Sequence, residues 1–347
     1  MWELIRLNKR KSIILFGLMG SVLVALGFLI GQSYAPPDGG IFGIVIALTI
    51  WLFMSALSYF KGGSILLNMH GAKEVTRESH QQLYNVVEEM KIASGLPKMP
   101  RIYVIDTPAM NAFATGRNPE NSAVAVTTGL LEKLNRDELQ GVIAHEISHI
   151  DNRDILFMTF AGILLGAIVI IAEVYVRSLF FTRGSSRRSS SSRSGGGQAQ
   201  AIIMVVAVIF AILAPLLAQL LYLSISRKRE YLADASAARL TRYPEGLASA
   251  LEKISGSTVE MPKANKVTAP MYITPPLRKA GKKLQALTST HPPVEERIRI
   301  LRSMAGGAGY VDYQAAFNRI KGMKEKLIPR SGLAKSEAVP IRPAESA

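Results

Sequence analysis

The sequence contains no cysteine, so it can form no disulfide and offers no thiolate as a nucleophile or as a metal ligand. Any bound metal ion must therefore use histidine and carboxylate side chains. Acidic residues are also scarce, 26 against 41 Lys and Arg, which gives a net charge of +15. No recognisable nucleic-acid-binding module accompanies the basic residues, so we expect no nucleic acid partner and attribute the charge to anionic lipid headgroups.

Charged residues are absent from four long apolar runs, at 12–34, 41–60, 155–172 and 201–226. A helix needs about 20 apolar residues to cross the hydrocarbon core of a bilayer. The runs therefore predict four membrane-embedded helices in a multi-pass protein of the cell membrane, with the lipid bilayer as a partner. The first run could instead be a cleaved signal peptide, but it exceeds the usual apolar core of about 7–15 residues, which favours an uncleaved anchor.

The distribution of basic residues predicts the orientation of the first two runs. The short loop that joins them, residues 31–40, contains no Lys or Arg. Basic residues instead precede the first run, at 6–11, and follow the second run, at Lys61, Lys73 and Arg77. The positive-inside rule therefore places both ends of this hairpin in the cytoplasm.

The segment between the second and third runs predicts a mixture of helices and strands. Apolar residues at helical spacing indicate an amphipathic helix over 76–94, and residues 101–105 and 122–126 are typical of strands. Asn135 and Glu138 form a capping-box pattern at the start of another helix. After the fourth run, further helices are predicted over 224–240, 244–254, 292–304 and 312–327.

The most informative pattern is His145-Glu146-Ile147-Ser148-His149. Two histidines four residues apart lie on one face of a helix, so both imidazoles can reach one ion. Glu146 lies about 60° round the helix from His149, close enough to act as a base towards water on that ion. A structural surface helix is the alternative, but unpartnered His and Glu would be costly on so apolar a helix.

A catalytic zinc takes three protein ligands and keeps one position open. The third histidine of the extended motif is absent, because Ile155 stands in its place. Glu230, just after the fourth apolar run, fits best as a carboxylate ligand, and Asp234 one turn later could accept a hydrogen bond from a ligand imidazole. An ordinary acidic pair is the alternative. Asp151 and Asp154 are better explained as polar residues at a helix end.

Together these segments resemble the HtpX-type membrane-bound zinc metalloproteases, relatives of the CAAX prenyl endopeptidases. Four segments carry the resemblance, in the same order and spacing: 111–116 (Asn-Ala-Phe-Ala-Thr-Gly), 123–151, 226–234 and 289–293 (Ser-Thr-His-Pro-Pro). The resemblance implies one zinc ion, with Glu230 as its third ligand and Glu146 as the catalytic base. It also implies a stress-response role, with unfolded or damaged membrane proteins cut on the cytoplasmic side.

The same resemblance assigns substrate binding to an edge strand that would pair with extended substrate backbone, at Asn111, Ala112, Phe113 and Ala114. His291 would stabilise the oxyanion or fix the cleft, unless it is a structural histidine. Arg227 would pair with Asp234 or Glu230, unless it is only a charge that flanks the membrane. His70 and His80 are expected to be solvated and uninvolved.

The predicted fold is an α-helical membrane protein with an α+β, zincin-like catalytic domain, in which a small sheet lies beside the HExxH helix and four helices are hydrophobic. It has five predicted parts: an N-terminal transmembrane hairpin (1–60), a cytoplasmic catalytic part with the HExxH helix (61–154), a second hydrophobic hairpin (155–226) with a Ser/Arg linker at 183–200, a helical part with the third ligand (227–327) and a disordered tail (328–347).

Three alternatives stay open at this point. If His145 and Glu230 share an ion, the basic linker at 183–200 faces outside, against the positive-inside rule, or the last two runs only dip into the bilayer. The chain could be a proteolytically inactive membrane scaffold, which would contain no zinc. It could also process prenyl peptides, although four hydrophobic runs are few for the large intramembrane chamber of those relatives.

Overall fold

The structure, a computed structural model, describes residues 2–185, 197–259, 261, 272–273, 292–304, 306–322, 326–328, 333 and 339–343. The helices along these residues are α1 (Trp2–Tyr34), α2 (Gly39–Met69), α3 (Gln81–Ser94), α4 (Thr128–Lys133), α5 (Arg136–Asp151), α6 (Asp154–Ser185), α7 (Gly197–Thr241), α8 (Pro244–Gly256), α9 (Val294–Arg302) and α10 (Tyr310–Lys321). The strands are β1 (Lys73–Glu74), β2 (Arg101–Ile105), β3 (Ala112–Asn118) and β4 (Asn121–Thr127).

The chain divides into two compact units. The first, which we call the site unit, comprises residues 1–11, 61–159 and 223–347, and the second, the apolar unit, comprises 12–60 and 160–222. The division into five parts made from the sequence stays a prediction.

The apolar unit contains the first two charge-free runs and most of the third and fourth, and each run is helical. Four helices are long and apolar enough to cross a membrane, with mean hydropathy between 2.3 and 3.0 over their most apolar windows. Many large apolar side chains on them are exposed, including Ile13, Leu52, Phe53 and Leu220. An exposed apolar surface of this kind suits contact with lipid rather than water. The prediction of four hydrophobic helices is therefore confirmed.

Glycines allow α1 and α2 to pack closely within the apolar unit. A Cβ atom added to Gly31 would lie 2.0 Å from the carbonyl oxygen of Gly39, and one added to Gly27 would lie 2.6 Å from that of Gly43. No side chain fits at such distances. Small residues at these contacts let two helix backbones approach within a membrane, where close packing is a main source of helix association.

Helix α7 is longer than the sequence pattern predicted. The fourth apolar run and the predicted helix at 224–240 form one uninterrupted helix, because no Gly or Pro occurs between residue 216 and Thr241 to end it. Helices also extend into both ends of the predicted linker, α6 to Ser185 and α7 from Gly197. The rest of that linker, 186–196, lies outside the described residues.

The site unit contains a mixed sheet with strand order β1-β2-β4-β3. Strands β2 and β4 are parallel, whereas β1 pairs with β2 and β3 pairs with β4 in antiparallel fashion. This confirms the strands predicted at 101–105 and 122–126, whereas β1 was not predicted. Strand β3 lies at one edge of the sheet, next to helix α5, so residues 112–118 are near the HExxH motif.

Helix α5 is fixed at its start and along its length. The Asn135 side chain accepts a hydrogen bond from the Glu138 amide (2.9 Å), and the Glu138 carboxylate accepts one from the Asn135 amide (2.8 Å), which confirms the predicted capping box. Further along, Gly141 allows α8 to approach, because a Cβ there would lie 2.6 Å from the backbone nitrogen of Leu247. The helix is thus held where its buried polar residues can meet other segments.

Two helix boundaries differ from the predicted ones for local reasons. Helix α3 begins at Gln81 rather than at residue 76, because Thr76 and Ser79 close a turn through hydrogen bonds in both directions (3.1 Å each). Helix α10 ends at Lys321 rather than at residue 327, because Gly322 adopts a left-handed conformation with φ 64°.

Candidate metal centre

Three buried side chains converge where α5 meets the C-terminal part of α7. The Nε2 atoms of His145 and His149 lie 3.2 Å apart. One carboxylate oxygen of Glu230 lies 3.5 Å from Nε2 of His145, and the other lies 3.4 Å from Nε2 of His149. No more than 3% of any of the three residues is exposed. The three can hold one metal ion.

The spacing of these atoms matches a tetrahedral metal site. With bond lengths of about 2.05 Å, as for zinc with nitrogen and oxygen ligands, neighbouring ligand atoms of a tetrahedron are about 3.3 Å apart. The distance between the two Nε2 atoms and the distance from each of them to one Glu230 oxygen are 3.2–3.5 Å, close to that value. The donor set, two imidazoles and one carboxylate, leaves the fourth position open, as in catalytic sites. The residues therefore fit a divalent ion of this size.

A carboxylate and a guanidinium stand behind His145. Its Nδ1 lies 3.0 Å from a carboxylate oxygen of Asp234, a close charge contact rather than a well-aligned hydrogen bond. Arg297 donates to both oxygens of Asp234, from Nε at 2.8 Å and from Nη2 at 2.7 Å. Its Nη1 also lies 3.6 Å from the Glu230 carboxylate. Asp234 thus lies next to the His145 imidazole, and its role in supporting a metal ligand stays a prediction.

A second carboxylate and guanidinium stand behind His149. Its Nδ1 lies 3.3 Å from one oxygen of Asp154, and the other oxygen lies 3.2 Å from Nη1 of Arg229. The guanidinium of Arg229 also stacks over the Phe157 ring at 4.3 Å. Sequence reasoning had given Asp154 no role beyond the helix end. The structure instead buries Asp154 completely against His149, a predicted metal ligand.

A left-handed turn explains how Asp154 reaches His149. Helix α5 ends at Asp151, and Arg153 then adopts φ 62°, a conformation that is unusual for a residue with a side chain. Helix α6 then begins at Asp154. One sequence signal existed, since an acidic residue in the first turn of a strongly apolar helix needs a partner when it is buried.

The charges of the site favour a dication. Among the described residues, its carboxylates outnumber its guanidinium groups by two, and the groups are Glu146, Asp154, Glu230, Asp234, Arg229 and Arg297. All six are at least 96% buried, so this excess of negative charge is poorly solvated. One divalent cation would neutralise it.

Without a metal, protons compensate for the same excess charge. Burial by itself lowers the pKa of the His149 imidazole, but hydrogen bonds to Asp154 and Glu230 outweigh that effect and raise the pKa to about 10. Burial also lowers the pKa of His145, and Asp234 and Glu230 together reverse the direction and raise it. Both imidazoles are thus held by acceptors that can equally serve as partners of a metal-bound ring.

Glu146 lies on the same helix and is 1% exposed. Burial raises the pKa of its carboxyl group. The two neighbouring histidines and a backbone hydrogen bond from Ala114 act in the opposite direction. The hydrogen bond shows that the Glu146 carboxylate reaches the edge strand β3. The structure therefore brings the predicted base and the predicted substrate strand together.

The guanidinium beside Asp234 and Glu230 belongs to Arg297, which sequence reasoning did not identify. Arg297 interrupts an apolar face of α9 that includes Ile298, Ile300 and Leu301, and an arginine at a core position requires a carboxylate partner. That pattern is the signal that could have revealed it. Arg227, the residue predicted for this role, is half-buried on α7 and its pairing stays a prediction. His291 lies outside the described residues.

The comparison with known families agrees with this geometry. Residues 77–305, more than half of the chain, match the sequence profile of Peptidase family M48. The chain belongs to peptidase family M48. The family resemblance found in the sequence is thus confirmed, and the protein is a metallopeptidase.

The relatives cover nearly the whole chain. A "Protease HtpX homolog" of Dictyoglomus turgidum is 47% identical over 303 residues, which are 87% of this chain and 94% of the relative. Proteins of the same name from Thermoanaerobacter pseudethanolicus and Streptococcus agalactiae are 40% and 42% identical, over 88% of this chain and 98% and 100% of theirs. With the four apolar helices, these relatives support a multi-pass membrane protease that acts on protein substrates.

Among solved structures, the crystal structure of S. mikatae Ste24p aligns with 86% of this chain and 66% of its own, with a TM-score of 0.43 and 21% identity.

Proposed function

We propose that this M48 peptidase is a zinc-dependent endopeptidase of the cell membrane that cuts misfolded or damaged membrane proteins on the cytoplasmic side during stress. The observation that carries the proposal is the buried His145, His149 and Glu230 cluster, with Glu146 beside it and an edge strand within hydrogen-bonding distance.

In this proposal His145, His149 and Glu230 hold one zinc ion. When bound, zinc supplies a Lewis acid that polarises the scissile carbonyl group and acidifies water. Asp234 fixes the orientation of the His145 ring from behind, and Asp154 does the same for His149. Arg227 is proposed to pair with an acidic residue on its own helix, and His291 to stabilise the developing oxyanion.

Glu146 is proposed to act as the general base and then as the general acid. Its carboxylate takes the proton of the attacking water and returns it to the leaving amine. A base works best when its pKa lies near the working pH, and burial raises the pKa of Glu146 in that direction. The hydrogen bond from the Ala114 amide holds the carboxylate at the edge of the sheet, where a substrate backbone would run.

The edge strand suggests the class of substrate. Residues of an edge strand present backbone donors and acceptors to any extended chain, so they bind a strand with little regard to its sequence. We assign this role to Asn111, Ala112, Phe113 and Ala114. Folded proteins rarely offer an unpaired extended segment, whereas misfolded proteins do. This is the reason for proposing misfolded proteins as substrates.

The cytoplasmic orientation rests on the positive charge that flanks the first two apolar runs. With a cytoplasmic site, two arrangements of α6 and the apolar part of α7 are open. Either both helices cross the membrane and the basic linker between them lies outside, or both helices insert only partly. A protease added to intact cells reaches only the outer face of the membrane. Cleavage of the linker at 186–196 under these conditions would place the linker outside.

The test compares the full-length chain with its Glu146→Gln variant in detergent. We expect the variant to keep one zinc ion, measured by elemental analysis, and to lose cleavage of unfolded casein by at least about a hundredfold, the usual contribution of a general base. Glu138→Gln is the matched control, since Glu138 is a buried glutamate on the same helix and Gln also serves in a capping box. It should cleave at close to the normal rate.

Chelator-insensitive cleavage by the Glu146→Gln variant would contradict the mechanism. Purification of a fully folded chain without zinc and without activity would favour the scaffold instead. Cleavage restricted to prenylated peptides would favour the prenyl-processing alternative.

A further inference from the structure

The edge of β3 that faces the site is already partly occupied. The backbone amide of Ile273 donates a hydrogen bond to the carbonyl oxygen of Ala112 at 3.1 Å. Residues 112 and 114 present their backbone groups to the same edge of a strand, since direction alternates with a period of two. Ala114 bonds Glu146 from that edge. Ile273 thus takes an acceptor on the edge that the proposed function assigns to substrate.

Ile273 and the preceding Tyr272 are held there by several further contacts. The carbonyl oxygen of Ile273 accepts a hydrogen bond from Nη1 of Arg297 at 2.9 Å. The Tyr272 hydroxyl lies 3.1 Å from the His70 ring, and the Tyr272 ring packs edge-on against Phe113 and His70, with centroids 5.5 Å and 5.6 Å away. Both residues are 1% exposed. The expectation that His70 is solvated is therefore wrong, because it is 7% exposed.

We propose that Tyr272 and Ile273 form an intramolecular strap that closes the substrate edge of β3 and that an incoming substrate strand must displace. The proposal rests on the proposed function of that edge. Strand addition needs the Ala112 carbonyl as an acceptor, and the Ile273 amide and a substrate amide would have to approach it from the same side. The two amides therefore compete for one position.

The strap is held by backbone hydrogen bonds and by buried side chains. Its backbone donates one hydrogen bond to the strand and accepts one from Arg297, the Tyr272 side chain contacts the rings of His70 and Phe113, and the Ile273 side chain packs in the hydrophobic core. If the closed state dominates, the apparent affinity for substrate is reduced by the fraction of molecules that are open. Such a strap keeps the protease latent until an extended chain of sufficient affinity arrives.

The first test weakens the strap without touching the metal ligands. Tyr272→Phe removes the hydroxyl contact with His70 and keeps the ring. Loss of one buried hydrogen bond shifts a closed-to-open equilibrium by about three- to tenfold, so kcat/KM for unfolded casein should rise by that factor, through a lower KM at unchanged kcat. Tyr103→Phe is the matched control, because it removes a tyrosine hydrogen bond to Glu74 at the opposite edge of the same sheet. It should leave KM unchanged.

The second test follows the strap itself and does not depend on Tyr272→Phe folding normally. Hydrogen exchange is measured on the zinc-loaded, full-length Glu146→Gln variant with and without unfolded casein. Binding should speed exchange at the Ile273 amide and leave the amides of β4 unchanged. An Ile273 amide that stays protected with casein bound, or an unchanged KM in a folded Tyr272→Phe variant, overturns the strap.

The outcomes separate the strap from the proposed function. Displacement of Ile273 by casein in the variant, together with no casein cleavage by the unaltered zinc-loaded chain, overturns the catalysis and upholds the strap. Cleavage of casein by the unaltered chain, with Ile273 still protected in the casein-bound variant, overturns the strap alone. Casein that is neither cleaved nor bound overturns both.

Discussion

Each ligand histidine is backed by a carboxylate and a guanidinium, and the two sets are assembled from different distances along the chain. Behind His149 stands Asp154, only five residues later in the sequence. Behind His145 stands Asp234, which is paired with Arg297, a residue 63 positions further on. The carboxylate of the first set reaches its histidine through one tight turn, although its guanidinium, Arg229, comes from α7. Both the carboxylate and the guanidinium of the second set come from distant helices, so that set requires α5, α7 and α9 to meet.

The two guanidinium groups also differ in what they hold. Arg297 is completely buried, bonds both oxygens of Asp234, and donates to the carbonyl of Ile273. Arg229 lies against one oxygen of Asp154 and gains part of its stabilisation from the Phe157 ring. Loss of the Arg297 set should therefore damage both the fold and the metal site, whereas loss of the Arg229 set should act mainly on the metal site.

The largest expected effect is that of Arg297→Met. The substitution leaves the Asp234 carboxylate buried without its charge partner, and breaking a buried pair in this way costs about 3–5 kcal/mol. We expect a large drop in thermal unfolding temperature in detergent, measured by intrinsic fluorescence, and loss of the metal on dialysis.

A double variant tests whether the pair is responsible. In Arg297→Met with Asp234→Asn, no unpaired carboxylate remains, so the double variant should be more stable than the sum of the two single changes predicts. Additive effects, or a single Arg297→Met variant as stable as the unaltered chain, would show that the two groups do not depend on each other.

A more moderate effect is expected for the metal affinity when each supporting carboxylate is neutralised. Groups that orient a ligand histidine usually contribute about 10–100-fold in metal affinity. We expect Asp234→Asn to lie near the upper end, because it also leaves Arg297 buried without its carboxylate, and Asp154→Asn near the lower end, because Arg229 keeps its contact with Phe157. Zinc dissociation constants measured by competition with a chelator give the comparison.

The control for that comparison is Glu245→Gln, which weakens an exposed ion pair with Arg302 away from the site. It should not change the zinc affinity. Equal losses for Asp234→Asn and Asp154→Asn, or a larger loss for the latter, would remove the distinction between the two sets.

The same distinction explains which parts of the site the sequence could predict. Helical spacing alone brings His145 and His149 to one face, and Glu230 was chosen as the carboxylate that best fits a third ligand after the fourth apolar run, in agreement with the family resemblance. Asp234 follows from Glu230 by one helical turn. These inferences use neighbours on one helix, where geometry depends only on position in the sequence.

The residues that the sequence did not reveal depend on tertiary structure. Asp154 requires the left-handed conformation at Arg153, and Arg297 requires α9 to dock beside α7. Tyr272 and Ile273 lie in a stretch of sequence rich in Lys, Pro and Met, whose pattern has no helical or strand periodicity to indicate that they would be buried. The four apolar helices were predictable because length and composition suffice for them, whereas the continuity of α7 through residue 226 was not.

The last prediction concerns the pH dependence of the metal-free chain. The pKa of His149 in the folded state, about 10, lies above the value of about 6.5 in an unfolded chain. A raised pKa means that the folded state binds the proton more tightly, so the added stability is complete below pH 6.5 and is lost as the pH rises towards 10. The raised pKa values of His145 and Glu146 act in the same direction. The unfolding temperature of the chelator-treated chain should therefore fall between pH 6.5 and 10.

With zinc bound, the metal replaces these protons, so the folded imidazoles carry none over that range and the unfolded ones lose theirs near pH 6.5. The unfolding temperature should then be nearly constant from pH 6.5 to 10. Asp154→Asn removes one of the acceptors that raise the pKa of His149, so its metal-free form should lose stability at a lower pH than the unaltered chain. If the unfolding temperature of the metal-free chain rises with pH over this interval, the carboxylates behind the two histidines do not keep the imidazoles protonated in place of the metal.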